Sequence, residues 1–326
     1  MTVTAEPSAR VGGEDERPGL IKAKPVRHPG RWVAIGVLAV LAAMFLNLLI
    51  NNQAFNWPFV FEAMQQTPVI NGFWQSTILV TIVSMIFGVA LGVVLAVMRL
   101  SDNPVLRSVS WLYTWFFRAI PRYVLLVIMG GLGVLFLDGL SFGVPFDWKI
   151  IEWLGLSGDW RFLTIDANKL FGGVVGGIIG LAASEAAYMA EIARAGILSV
   201  DKGQMEAAQA LGMSRGKAMR RVVLPQAMRV IVPPTGNETT AMLKDTSLLV
   251  AIPVTTDVFF QLQAIGNRTY QVFPVLIAAT LYYLIASSVL MVGQAYLERR
   301  FGRGVGTTSP TPKDKAAKGL AIGSAK

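Results

Sequence analysis

The chain has 326 residues, 53% of them hydrophobic and only 15% charged, with a net charge of +9 and a positive mean hydropathy. Water-soluble domains carry about 25% charged residues, so this balance excludes an ordinary soluble protein and points to the membrane. Cysteine is absent, which excludes disulfides, thiol nucleophiles and thiolate metal sites, and the single histidine, His28, lies in a polar stretch.

Residues 1–31 are rich in Pro, Gly and charge and are predicted to be a disordered tail. The first apolar segment, 32–50, is long and has no small-residue cleavage site, so it reads as a retained N-terminal transmembrane helix and not as a signal peptide. A span takes about 20 apolar residues. Five further segments are long enough, at 73–98, 109–137, 170–192, 228–252 and 272–296, which predicts an all-α membrane protein with six spans. The fifth carries Pro233, Pro234, Gly236, Asn237, Glu238, Lys244 and Asp245, and is expected to be broken or partly re-entrant. Gly172, Gly173, Gly176 and Gly177 set small residues four apart in the fourth, which permits close helix approach; packing within the chain suffices to explain them. Residues 301–326 are predicted to be a second disordered tail.

Lys and Arg alternate between loops. Lys22, Lys24, Arg27 and Arg31 precede the first span, whereas residues 51–72 hold neither type. Arg99 and Arg107 fall on the first side again, and the long loop 138–169 is net acidic. Lys202, Arg215, Lys217, Arg220, Arg221 and Arg229 crowd the next loop, and Arg299, Arg300 and Arg303 follow the last span. By the positive-inside rule both termini and the loop 200–225 are cytoplasmic. The positive charge therefore follows from topology and gives no support to nucleic-acid binding.

That basic loop is the most specific feature of the chain. Asp201 and Gln204 are spaced as a helix N-cap and its N3 partner, and Ala207, Ala208, Ala210 and Leu211 favour helix. Gly212 is placed to stop that helix in a left-handed conformation, Ser214 to cap a second one, and Pro225 to break the pattern before the next apolar run. The expected object is a compact helix-turn-helix that fits a groove on another protein. Glu206-Ala207-Ala208, Gly212 and Leu224-Pro225, at these distances, resemble the E-A-A loop of ATP-binding-cassette (ABC) importer permeases, with Val222 in place of the usual Ile.

From about residue 71 to 303 the chain resembles the permease subunits of polar amino acid importers. Phe117-Arg118-Ala119-Ile120-Pro121 is similar to the family's Phe-Arg-Gly-Thr-Pro, with Ala119 and Ile120 departing from it and Arg122 where an apolar residue is usual. Residues 187–197 resemble the end of the helix before the coupling loop, and Lys244-Asp245-Thr246-Ser247-Leu248 resembles the family's Lys-Asp-Thr-Ser-Leu. The resemblance implies a type I importer fold of five core helices in residues 71–300, preceded here by the extra helix 32–50. It implies a bacterial inner-membrane permease subunit paired with a second, identical or related, permease. An ATP-binding-cassette ATPase would engage the coupling residues Glu206, Ala207, Ala208, Gly212, Leu224 and Pro225, and an extracytoplasmic binding protein would deliver the amino acid. The chain has no Gly-x-x-x-x-Gly-Lys-Ser/Thr loop, so ATP and its magnesium are expected on the partner, with no cofactor, metal or catalytic residue here.

An ionisable group facing lipid costs at least about 2.5 kcal/mol at a helix centre, so polar residues inside spans are candidates for the substrate pathway. Glu185, Tyr188 and Glu191 lie near one helix face, able to receive an ammonium group. Glu191 is expected to pair with Arg194 instead; Glu185 has either role open. Lys244 and Asp245 either neutralise each other or line the pathway with Asn237, Glu238, Thr239, Thr246 and Ser247. Arg118 and Arg122 either contact an anionic substrate group or snorkel near the cytoplasmic interface, and the second is expected because the span becomes continuously apolar only after Tyr123. The competing reading is an autonomous ion-coupled carrier or channel working without an ATPase; a membrane enzyme finds no recognisable catalytic set.

Overall fold

A computed structural model describes residues 29–137, 139–155, 158, 160–252 and 254–301, so the two predicted tails lie outside the described residues apart from their edges. The chain divides at residue 52 into two compact units. The first holds α1 (Pro29–Asn51), 23 residues apolar around the whole circumference, as lipid surroundings require.

The second unit opens with α2 (Trp57–Met64) and α3 (Thr67–Gly72), each with a proline in its first turn, where the missing N–H costs nothing. A π-helical turn, 73–78, carries α3 without a break into α4 (Leu79–Arg99). Next come α5 (Pro104–Ala119) and α6 (Arg122–Leu135), bent by 101° to each other. The predicted single span 109–137 is therefore a broken pair. Pro121 is the cause, because it forces Ile120 into an extended conformation (φ −89°, ψ 130°) and ends α5.

The long loop 138–169 is not wholly helical. Strands β1 (Leu140–Gly143) and β2 (Arg161–Ile165) form an antiparallel hairpin around α7 (Asp147–Leu154), and α8 (Ala167–Phe171) leads into α9 (Gly173–Leu198). The helices of the basic loop are α10 (Lys202–Ala210) and α11 (Arg215–Ala218). A π-helical stretch, 219–223, runs from α11 directly into α12 (Leu224–Asp245). Pro225 thus sits in the first turn of α12 and begins a helix where a break was expected. The helix also passes through Pro233 and Pro234 uninterrupted, contrary to the expected broken segment, and tightens to a 3-10 turn only at Thr246–Ala251. The hydroxyls of Thr235 and Thr239 donate to Ile231 and Thr235 carbonyls, so this polar helix satisfies its own groups. α13 (Val258–Thr269), capped by Asp257, and α14 (Val272–Phe301) complete the fold.

Four described helices or helix runs are long and apolar enough to cross a membrane, five if the bent α5–α6 pair counts as one span. The difference from six lies in α12, whose polar face disqualifies it on composition.

α9 is the axis of the second unit. Its alanine face, including Ala182, Ala186, Ala190 and Ala193, is buried, and α4 meets it through Gly88 and Gly92. A Cβ at Gly92 would stand 2.5 Å from Met189 Cβ and 3.0 Å from the Ala186 carbonyl. Gly92→Val is expected to cost about 3 kcal/mol through overpacking, read as a lower unfolding midpoint of the detergent-purified protein. Gly176 and Gly177 pack against Phe171 and Leu249 of the same chain, in accord with the intrachain explanation.

Contacts join loops at both ends of the second unit. Arg215 lies 3.7 Å from Asp102, joining the basic loop to the α4–α5 connection. At the opposite end Asn56 donates to Gln271 at 2.8 Å, joining residues 51–72 to 251–271.

Candidate functional site

Two regions stand out, one at the basic loop 200–225 and one inside the bundle. In the loop, Asp201 caps α10, accepting from Gly203 N at 2.7 Å, while Gln204 accepts from Gln226 and so does not complete a capping box. Gly212 has φ +80°, and its N–H and that of Met213 close the helix onto Gln209 and Ala208 carbonyls. Glu206, Ala207, Gly212, Leu224 and Pro225 are exposed, whereas Ala208 faces inward and packs the knob. Leu211, which the sequence marks only as a helix former, is 81% exposed at the tip. A bare leucine beside a left-handed glycine gives the knob an apolar point.

Inside the bundle, the bend at Pro121 turns Arg122, the first residue of α6, among three carboxylates from two other helices. Its Nη2 donates to Glu185 Oε2 at 2.9 Å and lies 3.6 Å from Glu238 Oε2, and its Nη1 donates to Asp245 Oδ2. Glu238 and Asp245, seven residues apart, share one face of α12. Glu185 is fully buried, and its Oε1 has no hydrogen-bond partner among the described residues. Tyr188 presents its ring to two guanidiniums, with Arg122 Cζ at 4.9 Å and Arg118 Cζ at 5.5 Å from the centroid. Snorkelling is thus corrected for Arg122, which is 13% exposed and ion-paired. The partners that draw it inward stand 63 and 123 positions away in sequence, out of reach of local reading.

The other candidates separate from this cluster. Glu191 pairs with Arg194 at 2.7 Å, the structural role expected of it. Lys244 does not neutralise Asp245, which turns to Arg122; it lines a cavity of about 570 Å³ with Ser247, Thr280 and Ser287. Thr246 and Ser247 donate to the Leu243 and Lys244 carbonyls, and Asn237 accepts from Gln294. Thr239 is likewise occupied with its own helix. The expected pathway set therefore divides into an acidic cluster of Glu185, Glu238 and Asp245 with Tyr188, and a cavity that includes Lys244 and Ser247.

Residues 88–303 match the family model described as "Binding-protein-dependent transport system inner membrane component". The chain is 43% identical over 311 residues to the arginine transport system permease protein ArgU of Corynebacterium glutamicum, covering 94% of this chain and 90% of that one. It is 33% identical to the L-cystine transport system permease protein TcyB of Bacillus subtilis, covering 80% and 98%. A crystal structure of an amino acid ABC transporter with histidines superposes with a TM-score of 0.53 at 29% identity, over 72% of this chain and 94% of that one. The chain belongs to the binding-protein-dependent transport system inner membrane components. It is a membrane-embedded permease subunit of an ABC importer; the ATPase activity of such a system is carried by a separate subunit.

Proposed function

We propose that this permease carries a cationic amino acid inward, and that its coupling loop is driven by the separate ATPase. The observation that supports this most is the acidic cluster, in which three carboxylates face one guanidinium and one oxygen of a fully buried glutamate is unused. Such an excess of negative charge within a bundle calls for a second cation. The ammonium, guanidinium or imidazolium of a basic amino acid supplies it, and the C. glutamicum relative is named for arginine transport.

In this reading an extracytoplasmic binding protein releases the amino acid to a pair of permease subunits, and both termini are cytoplasmic. Glu206, Ala207 and Leu211 seat in a groove of the ATPase, Gly212 sets the angle of the knob, and the rigid run from α11 into α12 through Leu224 and Pro225 carries its movement to Glu238 and Asp245. ATP and magnesium act on the partner; this chain contributes shape and charge, not covalent chemistry. An autonomous carrier is not favoured, because a knob with an exposed apolar tip has no use without a partner.

Uptake of labelled L-arginine by cells expressing the whole transporter tests the cargo. L-Lysine and L-histidine in tenfold or greater excess, by ordinary competition, are expected to suppress it. Competition by L-glutamate but not by L-lysine would contradict the cationic reading.

A further inference from the structure

Arg122 has the same guanidinium group as the side chain of arginine, and it already occupies the carboxylates assigned above to a cationic cargo. We infer that Arg122 is a built-in competitor for that cargo, a specificity-determining residue that must give up or share Glu185 and Asp245 before a cation binds. The inference rests on the cationic reading of the acidic cluster.

Three observations carry it. The guanidinium bridges α9 and α12 through separate nitrogens, donating to Glu185 and to Asp245, so it straps three helices together. It leaves Glu185 half used, since Oε1 is buried and without a partner, and an incoming N–H donor would have an oxygen waiting before Arg122 moves. It also has somewhere to go. The Tyr188 ring is 4.9 Å from Cζ, and a cation over an aromatic face keeps part of its stabilisation when it leaves a carboxylate. Arg118, already over the same ring at 5.5 Å, limits that retreat and favours a return once cargo has left.

The consequence is a filter by charge. A neutral amino acid cannot compensate carboxylates released by Arg122, whereas a cation exchanges one charge-assisted hydrogen bond for another. Cargo binding would at the same time loosen the tie between α6 and α12.

The test is equilibrium binding of labelled L-arginine to the purified permease–ATPase complex, in wild type, Arg122→Gln and Arg122→Lys, with L-citrulline as the uncharged isostere. Removing an ordinary ligand or structural residue weakens binding; removing a competitor tightens it. Arg122→Gln is expected to lower the Kd for arginine about tenfold or more, the worth of one charge-assisted hydrogen bond. Arg122→Lys should lower it less, because an ammonium is a point charge that does not span two carboxylates. Citrulline should stay a poor ligand of the wild type. If the Gln variant fails to assemble, the Lys variant decides by the same sign. Wild-type binding of arginine with unchanged or weaker binding in the variants would overturn the competitor role and leave the cargo reading standing. Failure of every form to bind arginine would remove both.

Discussion

Gly212→Val is expected to impair coupled transport strongly while leaving the protein inserted in the membrane. At φ +80° a β-branched residue is strained by about 1–3 kcal/mol, and nothing lies within 4 Å of where its Cβ would stand. The loss is therefore one of backbone conformation and not of packing. Relief of that strain re-angles α10 against α11 and releases the closing bonds from Gly212 to Gln209 and from Met213 to Ala208. Uptake should fall about tenfold or more, by the equivalence of about 1.4 kcal/mol to a factor of ten, and less ATPase should co-purify. Gly212→Ala, without the branched Cβ, should fall between. Wild-type uptake by the valine variant at equal membrane abundance would show that the knob has no coupling role.

Glu185 carries the second large effect, and two substitutions separate its parts. Glu185→Ala leaves Arg122 short of a buried partner and empties the space against Gly88, where a Cβ would stand 2.8 Å from the Glu185 Cβ. Breaking a buried ion pair from one side costs about 3–5 kcal/mol, so the purified complex should unfold many degrees lower. Glu185→Gln keeps the shape and an acceptor for Arg122 but removes a charge. It should leave the unfolding midpoint close to wild type and still depress arginine uptake about tenfold. Equal uptake by the glutamine variant would assign Glu185 to packing alone.

The shape of the basic loop was legible because its information is local. Asp201, Gly212 and the Leu224-Pro225 pair act within a turn or two of themselves, and their spacing survives without tertiary context. Pro225 was the exception: a proline ends one helix or begins another, and only the π-helical run 219–223 before it shows that it begins α12. Pro121 illustrates the converse, since an apolar stretch long enough to span hides a 101° bend that hydropathy does not register.

The interior cluster was half legible. Glu185, Glu238 and Asp245 could be named because charge inside a membrane segment is anomalous wherever it occurs, and Tyr188 because it shares a helix face with Glu185. Their assembly around Arg122 could not, because it depends on α6, α9 and α12 meeting across long sequence separations. Gly88 and Gly92 give no sequence signal for the same reason: a glycine in an apolar helix shows its purpose only against the Glu185 and Met189 side chains that approach it.

This chain is expected to transport only when a separate ATPase drives it. The direct measurement is uptake of labelled L-arginine into proteoliposomes holding the chain alone, or the chain with its ATPase and binding protein, each with and without ATP. Accumulation confined to the complete set with ATP is the expected result. Accumulation by the chain alone, driven by an ion gradient and indifferent to ATP, would contradict it.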